Sequence, residues 1–263
     1  MNILKTILAD QRERVKKLRS VYTYKHFEEH PNFSRPLNSL CRSITSREFG
    51  IIAEIKRSSP SGGAIRPSLT VSSIAHEYEK NGAAGISVLT NERFFSGSRD
   101  DLLTVNNEVS IPVLRKDFIV DEIQLFEAKA FGADAILLIT EALTKEEILH
   151  LTLVAQALDL EVLAEVHAPE SIEKLNDQVN LIGVNNRDLK RQCTDLTISE
   201  EMIRYLPSHA VHITESGIRR PEEIQKMAHL GYRGALIGEH LLRASSPGEE
   251  LKRLQLKPVH HAD

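Results

Sequence analysis

The chain has 263 residues, of which 41% are apolar and 27% charged, a composition typical of soluble globular proteins. Its net charge of -4 argues against nucleic acid as a main partner, and no apolar stretch is long enough to span a membrane. The N-terminal residues lack the features of a signal peptide, which predicts a cytoplasmic protein. The two cysteines, Cys41 and Cys193, are far apart and are expected to be reduced thiols.

Residues 1–46 are predicted to be helical, with a break at Pro31 and Pro36. Because this segment precedes the first predicted strand, we expect an extension that packs on the main fold; a helix that binds a partner protein is the alternative. One apolar stripe along it is formed by Ile3, Leu4, Ile7 and Leu8.

Eight short apolar runs follow, separated by helical segments. The runs start about 20 to 34 residues apart, the length of one βα unit, and several are continuous in Ile, Val and Leu, as in a buried parallel sheet. The predicted strands are 51–55, 85–89, 111–114, 135–139, 161–166, 181–184, 211–214 and 235–237. The predicted helices include 69–81, 123–131, 145–157 and 221–230, with helix stops at Gly82, Gly132 and Gly231.

Eight alternating units predict an α/β fold, a closed (β/α)8 TIM barrel. We expect one domain, 1–263, with 1–46 as its helical extension. The rival is an open doubly wound sheet, which would usually carry a G-x-G-x-x-G turn after its first strand. This sequence has no such turn, so the barrel is favoured.

Ionisable residues gather where the predicted strands end, the side of a (β/α)8 barrel that carries the active site. Glu54 and Lys56 are two apart, so both side chains point to the barrel interior. Lys116 and Glu165 end the third and fifth strands and face the same mouth. Such groups shift one another's pKa values and suit general acid–base catalysis. The alternative is a buried salt-bridge network that only ties strands together.

The loops after the seventh and eighth predicted strands suit a phosphate group. Glycine lets backbone N–H groups approach an anion, and hydroxyl groups in the loop after the first strand can add donors. Each motif is weak alone, but together they predict a small phosphorylated substrate. The residues are Glu215, Ser216, Gly217, Gly238 and Glu239, with Ser59 and Ser61 in the first loop.

We expect neither a metal nor an organic cofactor. No His, Cys or acidic cluster has metal-ligand spacing, and the sequence has no nucleotide-binding fingerprint. His167, after the fifth predicted strand, is interpreted as a loop residue, and His260 and His261 as a solvated terminal pair.

Several motifs, in order and at matching spacing from residue 4 to residue 242, resemble those of the indole-3-glycerol-phosphate synthase family. They are EIKRSSPSGG, GISVLT, LRKDFIV, ADAILLIT, LAEVH, IGVNNRDL, ITESGI and LIGE. The resemblance implies a lyase of tryptophan biosynthesis that closes the indole ring of 1-(2-carboxyphenylamino)-1-deoxy-D-ribulose 5-phosphate with decarboxylation and dehydration. It also implies a barrel with an N-terminal helical extension.

The resemblance implies a role for each matched residue. Lys116 would protonate the substrate carbonyl as the ring carbon attacks. Glu54 and Lys56 would serve the later proton transfers and the dehydration, and Glu165 would support charge and orientation around the aminophenyl group. The other implied residues are Asn185, in the catalytic set, and Arg187 for hydroxyl or carboxylate groups; Ser59, Ser216, Gly217, Gly238 and Glu239 at the phosphate; Glu215 among the substrate-binding residues; and Phe94, Phe95 and Phe118 at the aromatic ring.

Two stretches depart from the family pattern. Residues 190–193 stand where an aromatic residue is often found, and His240 stands where a small residue is expected. There is no second barrel, so we expect a monofunctional enzyme, either a monomer or a weak homo-oligomer. The rivals are a sugar-phosphate isomerase barrel, which would usually use an Asp or Cys pair, and a non-enzymatic barrel that docks through 1–46.

Overall fold

The structure is a computed structural model and describes residues 3–59, 63–64, 70–187 and 193–256. Within these ranges, eight parallel strands close into a barrel; each pairs with the next, and the last pairs with the first. The closing register aligns Gly50 with Gly234. The expected (β/α)8 TIM barrel is therefore confirmed. Its strands are Gly50–Ile55 (β1), Gly85–Leu89 (β4), Val113–Lys116 (β5), Ala135–Ile139 (β6), Glu161–Val166 (β7), Leu181–Asn185 (β8), Val211–Glu215 (β9) and Gly234–Ile237 (β10); the hairpin Ser58–Ser59 (β2) and Gly63–Ala64 (β3) follows β1.

One strand boundary differs from the sequence prediction in a way that affects the site. The predicted run 111–114 becomes β5 at Val113–Lys116, because Pro112 has no N–H to contribute to a strand ladder. The shift places Arg115 and Lys116 inside the strand instead of after it. Their side chains therefore point to opposite faces of the sheet.

Alternation along the strands produces two apolar layers. The layer inside the barrel includes Ile52, Leu114, Leu137, Leu163, Leu181, Ile213 and Leu236. The layer between the strands and the surrounding helices includes Ile51, Val88, Ile136, Ile182 and Ala235. The inner layer fills the barrel below its mouth, so the polar side chains at the strand ends lie directly above a layer of apolar side chains.

The helices surround the barrel. Glycines end three of them in the left-handed region, Gly82 at φ 84°, Gly132 at 89° and Gly231 at 105°, as predicted. No helix among the described residues is both long enough and apolar enough to cross a bilayer. The helices are Ile3–Val21 (α1), Tyr24–Glu28 (α2), Leu40–Thr45 (α3), Val71–Lys80 (α4), Glu92–Phe95 (α5), Arg99–Glu108 (α6), Ile123–Ala130 (α7), Lys145–Ala157 (α8), Pro169–Ile172 (α9), Thr197–Met202 (α10), Pro221–Leu230 (α11), Glu239–Arg243 (α12) and Pro247–Leu254 (α13).

The N-terminal extension packs on the barrel, as expected. α1 buries Ile7 and Leu8 of the predicted stripe and lies against α7. α3 buries Leu40 and Ile44, which join the inner apolar layer where the strands begin. The first break comes earlier than the prolines, at Thr23, whose extended backbone (φ -101°, ψ 166°) precedes α2.

Candidate active site

The carboxyl ends of the barrel strands open into one cavity of about 740 Å3. The side chain of Ser59 and the whole of Ser61 lie outside the described residues. The structure brings the other candidate residues of the sequence analysis to this cavity, apart from Phe94. They are Glu54, Lys56, Phe95, Lys116, Phe118, Glu165, Asn185, Arg187, Glu215, Ser216, Gly217, Gly238 and Glu239.

Lys116 stands at the centre of a buried charge network. Its Nζ donates to Oε2 of Glu165 at 3.2 Å and to Oε2 of Glu215 at 2.8 Å. Burial alone would lower the pKa of this ammonium, but the carboxylates of Glu215, Glu165 and Glu54 raise it above its usual value. Lys116 is therefore protonated in the resting site and carries the proton that a general acid needs.

The two carboxylates that hold Lys116 differ in charge. Burial opposes ionisation of Glu165, but Lys116, His167 and a hydrogen bond from Asn185 keep its pKa below the usual value. Burial and the nearby charge of Glu165 raise the pKa of Glu215 to about 7, although Lys116 opposes them. Glu165 is thus the ionised partner, since two cations face it, and Glu215 takes up a proton near neutral pH. Separated pKa values in one site suit acid–base chemistry.

Glu54 and Lys56 form a second acid–base pair at the end of β1, with Lys56 Nζ 2.8 Å from Oε1 of Glu54. Both side chains are largely buried, and the pair lies in the same cavity as Lys116. Across the described residues, no three His, Cys, Asp or Glu side chains are grouped as metal ligands would be.

Two glycines make room for the acidic side chains. A Cβ on Gly238 would lie 2.3 Å from Oε1 of Glu54, and a Cβ on Gly183 would lie 2.0 Å from Oε1 of Glu215. Both approaches are far inside van der Waals contact. Gly238 was assigned to the phosphate loop from the sequence, but Gly183 was missed because its partner lies on the neighbouring strand.

The loop after β9 has an unusual backbone. Ser216 and Gly217 both have positive φ, 66° and 92°, and a serine in this region is strained, a feature that concentrates at functional turns. The buried side chain of Asn186 stabilises the turn, since its Nδ2 donates to the carbonyl oxygens of Glu215 and Ser216 at 3.0 Å each. Asn186 was not singled out from the sequence, although it lies in the IGVNNRDL motif.

Cations cluster near the loop after β10. Arg187 and Arg243 line the cavity there, and Arg219, in the loop after β9, lines the same cavity. A hydrogen bond from Arg243 at 2.8 Å, together with the charges of Lys56 and Arg187, lowers the pKa of Glu239. The excess of guanidinium and ammonium groups at this end suits a doubly charged phosphate.

His240 departs from the family pattern in this loop. It lines the cavity, but its ring contacts a neighbouring helix. Its Nε2 lies 2.5 Å from Oε1 of Glu250 on α13, so the ring points between helices and not at the centre of the loop. Of the other departure, at residues 190–193, the structure describes only Cys193, which is exposed; His260 and His261 also lie outside the described residues.

Apolar side chains form the opposite wall of the cavity. The rings of Phe95 and Phe118 lie 6.2 Å apart at an interplanar angle of 30°, and Leu89 and Ile139 line the same space. Phe94 packs differently, with the guanidinium of Arg93 over its ring at 5.4 Å, and is not among the lining residues.

Arg115 was not predicted to matter, yet it is completely buried behind Lys116. Its Nη2 contacts Asp117 at 3.1 Å and Glu127 at 2.7 Å. Arg14 of α1 reaches the same two acids, at 3.3 Å and 3.8 Å. This ion cluster ties the extension and α7 to the strand end that carries the central lysine.

His167 was interpreted as a loop residue, and it does follow β7, but it is largely buried beside the cavity. Its Nδ1 lies 2.8 Å from Oε2 of Glu141, and its Nε2 lies 3.5 Å from Oε1 of Glu165. The two-residue spacing of Glu165 and His167 in the sequence could have shown that both side chains lie on one face of the strand. It could not have found Glu141, which lies in the loop after β6.

Comparison with known proteins identifies the family. The family model for indole-3-glycerol phosphate synthase matches residues 4–254. The indole-3-glycerol phosphate synthase of Bacteroides thetaiotaomicron is 40% identical over 251 residues, covering 95% of this chain and 96% of that protein. The protein of the same name from Carboxydothermus hydrogenoformans is 41% identical over 260 residues, covering 95% of this chain and 98% of its own length.

Solved structures with low sequence identity share the fold. The tryptophan synthase α subunit of Legionella pneumophila aligns with a TM-score of 0.60 at 17% identity, covering 83% of this chain and 97% of its own. A 3-hexulose-6-phosphate synthase aligns with a TM-score of 0.62 at 14% identity, covering 78% of this chain and 98% of its own. These likenesses support the barrel, whereas the relatives at about 40% identity and the family model decide the family. The chain belongs to the indole-3-glycerol phosphate synthase family and is a carboxy-lyase of tryptophan biosynthesis.

Proposed function

We propose that the cavity at the barrel mouth closes the indole ring of 1-(2-carboxyphenylamino)-1-deoxy-D-ribulose 5-phosphate. The observation that carries this proposal is Lys116, a buried ammonium between Glu165 and Glu215, opposite an aromatic wall and beside a cationic loop. A monomer or a weak homo-oligomer is consistent with this proposal.

In the first step, the ring carbon that bears the carboxylate attacks the ketose carbonyl carbon, and a carbon–carbon bond forms. The carbonyl oxygen takes a proton from Lys116 and becomes a hydroxyl group. A donor held near a developing alkoxide in a water-poor site stabilises that charge strongly. The carboxylate then leaves as carbon dioxide, and its bonding electrons restore the aromatic ring.

In the second step, the new hydroxyl group leaves as water, and a proton is lost from the adjacent methylene carbon to give the indole double bond. We assign this dehydration to Glu54 and Lys56, whose 2.8 Å contact couples a proton acceptor to a proton donor. Glu165 holds Lys116 in place, and Asn185 fixes Glu165 by a hydrogen bond.

Residues at the two ends of the cavity would bind and orient the substrate. Phe95 and Phe118 would hold the anthranilate ring, since aromatic pairs favour offset or tilted stacking. Ser216, Gly217 and the backbone at Gly238 would bind the phosphate, with Arg243 and Lys56 supplying positive charge. Holding both ends fixes the ring carbon near the carbonyl, which lowers the entropic part of the barrier.

The test is indole fluorescence after mixing the protein with this substrate, for wild type and for Lys116→Met. Methionine keeps the packing volume but removes the ammonium, and we expect kcat to fall by at least about 100-fold. Lys129→Met is the matched control, because Lys129 is also buried but lines a different pocket. No turnover by folded wild type would contradict the proposed reaction. Normal turnover by Lys116→Met would show that another residue donates the proton.

A further inference from the structure

A chain of buried and partly buried polar groups continues from the active site toward the outside of the barrel. Glu165 on β7 is followed by His167, then by Glu141 in the loop after β6, and then by Ser171 on α9. His167 Nδ1 and Glu141 Oε2 are 2.8 Å apart, and the Ser171 hydroxyl donates to Glu141 Oε1 at 2.6 Å. The steps proposed above use Glu165 but none of the groups behind it.

The geometry gives Glu165 a different cation at each oxygen. Lys116 Nζ lies 3.2 Å from Oε2, and His167 Nε2 lies 3.5 Å from Oε1. Glu141 fixes the ring from the far side, and the Ser171 hydroxyl fixes Glu141 in turn by donating to Oε1 at 2.6 Å. A carboxylate that orients an imidazole, which then acts on a third group, is a recurring device in active sites.

The protonation state of His167 follows from these contacts. If Nδ1–H donates to Glu141, a neutral ring would turn the lone pair of Nε2 toward Oε1 of Glu165, and two acceptors would face each other. That Nε2 is buried and has no hydrogen-bond partner among the described residues. An imidazolium removes the conflict, because both ring nitrogens then carry protons and each faces a carboxylate.

The charge balance points the same way. Glu165 and Glu215 are both buried beside one ammonium, that of Lys116, and Glu215 ionises as the pH rises through about 7, so a second cation stabilises the buried carboxylates most at neutral and higher pH. Burial would lower the pKa of His167, but Glu141, Glu165 and Glu215, the acids that face it from three elements, raise it to about 9. Burial would also raise the pKa of Glu141, yet its contact with His167 lowers it to about 2.

We propose that His167 is a positioning residue for the reaction: oriented by Glu141, it presents a charged Nε2–H to Glu165 and keeps that carboxylate ionised against Lys116. The inference rests on the roles proposed above for Lys116 and Glu165. Without the imidazolium, Glu165 would lose one of its two cations, so its pKa would rise and the carboxylate would hold the ammonium of Lys116 less firmly.

The first test needs no turnover. In protein labelled with isotopes in its histidines, the imidazole signal that is lost in His167→Gln is followed from pH 5 to pH 10. We expect that signal to have the shifts of a charged ring at pH 7.5 and to titrate near pH 9. A neutral ring at pH 7.5 would overturn the proposal, whether or not the protein turns over its substrate.

The second test compares pH profiles of kcat and KM for wild type, His167→Gln and Glu141→Gln. For His167→Gln we expect kcat to fall about 10-fold with KM nearly unchanged, and the acid limb to move up by about one pH unit, because an opposite charge at this range is worth that much. For Glu141→Gln we expect the basic limb to move to lower pH, since the ring loses its charged partner. A residue with only a structural role would change stability without moving either limb.

The matched control is His150→Gln, because His150 also pairs with a glutamate, Glu122, at 2.9 Å but is exposed and does not line the cavity. Its profile should equal that of wild type, and thermal melts should show that all variants fold. Active wild type with unshifted profiles in both test variants would overturn the role of His167 alone. Inactive wild type would overturn the proposed reaction and leave the first test to decide the charge of His167.

Discussion

The substitution Gly183→Ala tests whether the position of Glu215 controls the charge network. Gly183 lies on β8, and an added Cβ would sit 2.0 Å from Oε1 and 3.0 Å from Cδ of Glu215. Because Cβ atoms essentially never approach other atoms closer than 3.0 Å, the carboxylate oxygen has to retreat by about 1 Å, the difference between 3.0 and 2.0 Å. The added methyl group is small, so it changes the charge network and leaves the fold in place.

The expected loss follows from that displacement. Lys116 Nζ donates to Oε2 of the same carboxylate at 2.8 Å, so a shift of the group by about 1 Å lengthens or bends this hydrogen bond and weakens it. A misplacement of about 1 Å at a reacting centre costs on the order of 100-fold in rate, which corresponds to about 2.7 kcal/mol of transition-state stabilisation. We therefore expect kcat to fall by about 100-fold and KM to change little.

The assay is indole fluorescence, with kcat and KM measured for Gly183→Ala in two backgrounds. In the wild-type background the loss should be large. In a Glu215→Ala background there is room for the new methyl group, so Gly183→Ala should cause almost no further loss, because the two sites act as one. Equal losses in both backgrounds would refute the idea that the glycine acts through Glu215.

Two further predictions concern stability. Arg115→Met should lower the free energy of unfolding in urea by about 3 kcal/mol, since it leaves buried Asp117 with Arg14 as its remaining cation and buried Glu127 with Arg14 and Arg99; a loss under about 1 kcal/mol would show that the buried acids are protonated instead. The His167–Glu141 pair should stabilise the folded protein most between pH 4.5 and pH 6.5, the ordinary pKa values of the two groups. Its contribution is lost as the pH falls toward about 2, where Glu141 is protonated, and as the pH rises toward about 9, where His167 loses its proton. The stability difference between wild type and Glu141→Gln should therefore be largest near pH 5–6.5 and small at pH 9.5, and a difference that is constant with pH would contradict the ion pair.

The sequence predicts the barrel and many of its polar strand ends because both signals are local. The spacing of Glu54 and Lys56 directs both to one face without any knowledge of the partner strands. The boundary of β5 was wrong by two residues because Pro112 lies inside an apolar run, and hydrophobicity alone does not register a missing N–H. Because of that error Arg115 was placed after the strand instead of within it, and its burial was not predicted.

The residues that sequence reasoning missed depend on contacts between distant parts of the chain. Glu141 and His167 are 26 residues apart, and neither has a pattern that links it to the other. Gly183 is informative only beside Glu215, which belongs to the next strand. The assignment of His167 to a loop was reasonable from position, but burial is decided by the elements that pack around it, and one sequence does not reveal them.

The docking of α1 bears on how the chain acquires its structure during synthesis. Asp117, a partner of Arg14, lies 103 residues further along the chain, and the translating ribosome adds on the order of 5–20 residues per second. The helix therefore leaves the ribosome roughly 5–20 s before its docking surface exists, with Ile7, Leu8 and Val15 uncovered. During this interval the nascent chain depends on chaperones or on its own surface charge to avoid aggregation, and a slower codon region after residue 127 would lengthen the time available for docking.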